Sequence, residues 1–143
     1  MTTVGQILDQ KGSQVWSLPP DAIVYDALRL LAERDIGVLL VIQGDRLVGI
    51  LSERDYARKV ILKGKSSMKT SVQEIMTERV FVVEPQRSME EAMALMPEKR
   101  LRHLPVVEGE QVVGLVSIGD LVKAKIADLR FVIEQLERYI AGA

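Results

Sequence analysis

The sequence predicts an α+β protein made of two copies of one α-β-α-β-β-α unit, with an extended helix at the C-terminal end. Three observations carry this. The chain matches itself at an offset of 65 residues. Helical and strand-like apolar patterns follow the same order in both copies. A heptad pattern then continues past the second copy. In the self-match, Pro20 falls on Pro85, Ala27 on Ala92, Leu30 on Leu95, Leu39 on Leu104 and Val41 on Val106. Gly44 falls on Gly109, Val48-Gly49 on Val113-Gly114, Ser52 on Ser117 and Asp55 on Asp120, all without a gap. A shift of three residues extends the match to Val4 and Ile7, which meet Val72 and Ile75. A unit of roughly 60 residues buries too little surface to be secure alone, so the copies are expected to pack together about a pseudo-twofold axis. The expected boundaries are 1–65 and 66–127 for the repeats and 128–143 for the extension.

Each element has its own reason. A short amphipathic helix opens each copy, at Thr3–Leu8 and Ser71–Met76, and a short strand follows, at Val15–Leu18 and Val80–Val83. Ala27, Leu28, Leu30 and Leu31 give Tyr25–Arg34 a helical period. Its counterpart Met89–Lys99 is opened by Ser88 with Glu91 three residues on, a capping box. Pro97 is expected to end or kink that helix early. Hairpins come next: Gly37–Ile42 with Leu47–Leu51, turned at Gln43-Gly44-Asp45, and His103–Val107 with Gln111–Val116 around Gly109. Their apolar runs do not alternate, so both faces should be covered. A closing helix starts at Ser52 and at Ser117. The polar stretch Lys63–Thr70 reads as a solvated linker.

Composition narrows the function. With 19 basic and 20 acidic side chains and a net charge of −1, the chain is not expected to coat nucleic acid. It has no cysteine and one histidine, so thiolate sites and multi-histidine metal sites are excluded. The longest apolar run, Ile36 to Ile42, is far short of the ~20 residues of a membrane span. The first residues show no leader pattern. A cytoplasmic protein is expected, without membrane contact and without a required metal.

The repeated signature is Gly-x-x-Ser-x-x-Asp: Gly49, Ser52, Asp55, then Gly114, Ser117, Asp120. One reading is purely structural, an N-cap serine with its acid and a glycine that permits close packing. The other uses the same geometry for binding. A helix N-terminus favours phosphate, and the adjacent carboxylate can accept hydrogen bonds from a ribose diol. The copies differ in their cations: Arg54 stands where the second copy has Gly119, and Arg102-His103-Leu104-Pro105 stands where the first has Gly37-Val38-Leu39-Leu40. Pseudo-twofold packing would gather Arg54, Arg102 and His103 about one anionic centre. Alternatively they are surface cations, with Arg102 paired to Glu98 and His103 partly buried. Finally, Val122, Ile126, Leu129, Ile133, Leu136 and Ile140 step by four and three, a heptad seam. It packs on the chain's own core or, as favoured here, on another copy, giving a homodimer or larger.

These residues resemble a known family. The two repeats, the Leu104–Val107 strand and the closing Gly-x-x-Ser-x-x-Asp are similar to a tandem pair of cystathionine-β-synthase (CBS) domains, a Bateman module of the stand-alone bacterial type. The resemblance implies two clefts that bind AMP, ADP, ATP, S-adenosylmethionine or NAD(H). It implies ribose contacts from Asp55 and Asp120, and hydroxyls near ribose and phosphate from Ser52 and Ser117. It also implies adenine contacts around Trp16, Ser17 and Leu18 and around Phe81, Val82 and Val83. The first copy has Leu40 in place of the family's common proline, which bears on equal occupancy of the two clefts. The expected function is thus a sensor in signal transduction, with no catalysis of its own and an unknown protein target. The alternatives are a nucleotide-processing enzyme, for which no nucleophile with a base is evident, and a ligand-free dimerisation scaffold.

Overall fold

The computed structural model describes residues 2–142. Its elements are α1 (Val4–Lys11), β1 (Ser17–Leu18), α2 (Val24–Arg34), β2 (Val38–Gln43), β3 (Arg46–Ser52), α3 (Glu53–Tyr56), α4 (Val72–Ile75), α5 (Met89–Lys99), β4 (His103–Glu108), β5 (Gln111–Ser117) and α6 (Ile118–Gly142). A π-helical turn, Ala57–Ile61, continues α3. The fold is α+β, with two small sheets, six helices and a long C-terminal helix among the described residues.

The chain forms two compact units. One holds Gln14–Phe81 and Gly109–Val112; the other holds the chain up to Ser13, Val82–Glu108 and the chain from Val113 onward. Each opening helix therefore lies in the unit built mainly from the other repeat.

In the first unit the sheet order is β1-β2-β3, with β1 parallel and β3 antiparallel to β2. Val38, Leu39, Leu40 and Val41 are all buried, as strands covered on both faces must be. Leu39, Val41 and Leu51 pack with Val24, Ala27 and Leu31 of α2 and with Val72 and Ile75 of α4. Backbone bonds fasten α4 here: Val72 N–H donates to Ala22 O (2.7 Å), and Ile50 and Thr77 exchange bonds of 3.0 and 2.9 Å. The linker is not wholly solvated. Ile23, the residue before α2, provides no side-chain cap, and the linker carbonyls of Thr70 and Ser67 accept instead from Val24 N–H (2.8 Å) and Tyr25 N–H (3.0 Å). Thr70 is accordingly buried.

In the second unit α1 is fastened to the start of α5. Val4 N–H donates to Arg87 O and Gly5 N–H to Pro85 O, both at 2.9 Å. Thr3 caps α1 in a full capping box with Gln6. Pro97 does not shorten α5, which runs eleven residues like α2. A proline so near the end removes only one helical bond, and termination comes from Arg100 in the left-handed region (φ 57°), as it does from Asp35 (φ 52°) after α2. The strand expected at Val80–Val83 is reduced to one parallel bridge, Val83 with Val106. In the first copy Leu40 N–H donates to Trp16 O (3.1 Å). The matching residue Pro105 has no N–H to form that rung.

The repeat glycines are explained by the opening segments. A Cβ at Gly114 would stand 2.5 Å from Leu8 Cδ1, and one at Gly49 would stand 2.5 Å from Met76 Sδ and 3.2 Å from Thr77 O. Leu8 and Met76 are themselves matched positions in the repeat. The close-packing role of these glycines is therefore borne out.

Candidate functional site

The candidate residues lie where β3 and β5 hand over to the closing helices. At each junction the helix needs partners for its first N–H groups. Glu53 N–H donates to Gly37 O (3.1 Å), and at the matched place Ile118 N–H donates to Arg102 O (2.9 Å). Ser52 Oγ accepts from Asp55 N–H and Ser117 Oγ from Asp120 N–H, both at 3.1 Å. In return, Asp55 accepts from Ser52 N–H (2.9 Å) and Asp120 from Ser117 N–H (2.8 Å). The structural reading of the motif is thus realised twice, and it fixes both carboxylates in place.

Each acid also holds a lysine that the sequence did not single out. Lys59, one turn on in the π-helical segment, lies 3.2 Å from Asp55 Oδ1, and Thr77 Oγ1 points at the same oxygen from 3.5 Å. Lys11 reaches Asp120 Oδ2 at 2.6 Å and also donates to Leu115 O at 2.9 Å. The i,i+4 spacing made Lys59 findable. Lys11 stands 109 positions from Asp120, and nothing in the sequence pattern joined them.

The second junction carries the perturbed titrations. Burial alone would raise the Asp120 pKa, but the Lys11 hydrogen bond and charge and the Ser117 hydrogen bonds outweigh it and hold the carboxyl below its ordinary range. His103 sits half-buried at the start of β4. Burial pushes its pKa down; the Asp120 charge works against that, and Lys11 and Arg102 work with it. The junction therefore brings together Arg102, His103, Ser117, Asp120 and Lys11. Leu104 and Pro105 lie behind it, buried in β4. Beside it, an open cleft of about 690 Å³ runs between α1 and α6, lined in part by Gln6, Lys11, Asp120, Lys123 and Asp128.

At the first junction Ser52 and Asp55 meet, and Arg54 is exposed beside them. Trp16 is half-buried in the same unit, and the Arg34 guanidinium lies 4.0 Å from the centre of its ring. Ser17 is exposed and Leu18 half-buried in β1, while Phe81 is half-buried and Val82 exposed. Arg54 belongs to one unit, and Arg102 and His103 to the other. No ion pair between Arg102 and Glu98 is formed among the described residues.

Chemically, each junction offers a carboxyl group, a hydroxyl and an ammonium at a helix N-terminus. That set can accept from a diol and donate to an anion. Among the described residues no three His, Asp or Glu side chains group as metal ligands, and no helix is long and apolar enough to cross a membrane.

The chain belongs to the CBS domain family, whose model matches residues 4–62 and 72–127. It is similar to a protein with CBS domains from Burkholderia ambifaria, at 55% identity and a TM-score of 0.85, over 89% of this chain and 96% of that one. It is 38% identical over 151 residues to the mitochondrial CBS domain-containing protein CBSX3 of Arabidopsis thaliana, spanning 99% of this chain and 73% of the relative. In fold it is also similar to the CBS domain pair of protein MJ0100, solved with 5′-methylthioadenosine and S-adenosylmethionine (TM-score 0.79, 23% identity, 90% of this chain and 98% of that one).

Proposed function

We propose that this CBS-domain chain is a regulatory sensor that binds an adenine nucleotide (AMP, ADP, ATP or NAD(H)) and catalyses nothing itself. The carrying observation is the duplicated junction, where the Asp55 and Asp120 carboxyls are each held in place beside a capping hydroxyl and a lysine. A ribose diol fits the acids, and phosphate fits Lys59 with Arg54 at the first junction and Lys11 with Arg102 and His103 at the second. Trp16–Leu18 and Phe81–Val83 supply apolar surface for the base. The same fold carries two adenosyl ligands in protein MJ0100. The sensor works as a cytoplasmic homodimer or larger assembly in which α6 takes part, and it signals to a protein target.

Calorimetric titration of AMP, ATP and NAD(H) tests this. Two charge-assisted bonds to a diol are worth roughly 2–4 kcal/mol together, so Asp55→Ala or Asp120→Ala should weaken its own site more than tenfold. Unchanged binding in the double variant overturns the assignment. Steady phosphate release from ATP would instead favour the enzyme reading.

A further inference from the structure

The face of α6 that carries the heptad seam is bare. Val122, Ile126, Leu129, Ile133, Leu136 and Ile140 are 43% to 75% exposed, and Val132 and Tyr139 beside them are 52% and 78% exposed. Of the 25 residues of α6 only Leu121 is buried. Packing on the chain's own core, one of the two sequence readings, is therefore not what happens. We infer that α6 of a second copy covers this face, running antiparallel to the first. This rests on the oligomeric reading above and gives it a geometry.

The argument is self-complementarity. The seam steps by four and three alternately, and an antiparallel pairing sets each β-branched residue against a partner of the other kind or size. Ile126 meets the partner's Leu136, Leu129 meets the partner's Ile133, and Val122 meets the partner's Ile140. Isoleucine and leucine at alternating seam positions would also suit a parallel pair, so the flanks decide. In a parallel pair Lys125, which pairs with Glu90 of its own chain at 3.2 Å, faces the partner's Arg130 in both copies, and Val132 faces the partner's Glu137. In the antiparallel pair Lys123 faces the partner's Glu137 at both ends. Arg130 meets the partner's Arg130 once, at the centre. On the other flank Val132 meets the partner's Val132, and Tyr139 lies beside the stem of the partner's Lys125. The antiparallel pair thus uses both exposed apolar side chains that lie off the seam on that flank, and it opposes the helix dipoles.

The chain has no cysteine, so disulfide trapping is clean. Val122→Cys and Ile140→Cys variants of the full chain are purified separately and also mixed, allowed to exchange, and oxidised. In the antiparallel pair the two Ile140 positions stand about 27 Å apart, far beyond disulfide reach, while Val122 and the partner's Ile140 form one layer. The expected result is a doubling of mass on a denaturing gel in the mixture and in neither variant alone. Cross-linking of Ile140→Cys by itself overturns the inference in favour of a parallel pair. No cross-link in any sample, with light scattering still showing a multimer, moves the interface off α6 and leaves the oligomeric reading standing. A monomer by light scattering overturns both.

Discussion

Replacing Gly114 with alanine tests the exchange of opening helices more directly than any change on α1 alone. The added methyl would stand 2.5 Å from Leu8 Cδ1, 2.7 Å from Cδ2 and 3.1 Å from Cγ. Leu8 is 6% exposed, so it has little room to give. Overpacking of this kind costs about 1–3 kcal/mol, and the smaller entropy of the unfolded alanine chain returns about 0.4–1 kcal/mol. Gly114→Ala should therefore destabilise by about 1–2 kcal/mol. Leu8→Ala alone removes a buried side chain and should cost about 2–4 kcal/mol. In the double variant the alanine methyl occupies space that Leu8 has left, so the combined loss should fall at least ~1 kcal/mol short of the sum. Urea titrations of the four proteins, compared at constant m-value, give the cycle. Strict additivity would refute the contact and, with it, the placement of α1 beside β5.

Two pH-linked predictions follow. His103 has its pKa held below the ordinary 6.5 by burial, so the unfolded chain takes its proton first as pH falls. Stability should be fully present above that value and drop as pH falls from it toward the folded pKa, and His103→Gln should flatten this drop in thermal melts; an unchanged profile would remove His103 from the cause. Asp120 is depressed, so its contribution is present above the ordinary 3.8 and lost as pH falls through the folded value. Lys11 and Asp120 both keep solvent contact, so Lys11→Met should cost only about 0.5–1 kcal/mol at neutral pH and shrink the acid loss below pH 4; a larger cost would mean that the ammonium's bonds to Asp120 and Leu115 O stabilise more than an exposed pair does.

The repeat, the strand order and the capping serines were legible because each rests on local chemistry: apolar period, turn glycines, a hydroxyl three residues before an acid. The extent Met89–Lys99 was legible from apolar period and cap, apart from the effect expected of Pro97. The misread elements depended on partners distant in sequence. Val80–Val83 has strand composition, but Pro105 on the facing strand β4 withholds a rung, and composition cannot report a neighbour. Pro97 was expected to end or kink its helix early for a local reason, its missing N–H, but only two residues of the helix follow it. At the candidate site the acids and serines were visible, while Lys11 was not, because α1 comes from the other copy's sequence. The exposure of the α6 seam was legible only as a pattern, since a heptad does not say whether its own chain covers it.

The two junctions share a motif but differ in how their cation is delivered, and this bears on how alike they can be as sites. Lys59 comes from the same helical segment as Asp55, so its position is set by the turn that the cap begins. Lys11 comes from α1, whose backbone is tied to Pro85 and Arg87 and whose Leu8 is wedged over Gly114. The charge beside Asp120 therefore depends on tertiary packing, whereas the charge beside Asp55 depends on local helix geometry. Arg102 and His103 stand near Asp120, while Gly37 and Val38 hold the matched places in the first copy. An anion entering the second junction meets Lys11 and Arg102, and one entering the first meets Lys59 and Arg54; only at the second would its arrival raise the depressed pKa of a histidine, His103, and draw in a proton. The Ser117–Asp120 cap that forms this junction also starts α6. One continuous helix thus joins the junction that holds His103 to the bare seam, whereas α3 ends within a few residues of its own cap and leads to the linker. If the second junction is the one that reads the nucleotide, the element it caps is the element that a second copy would meet.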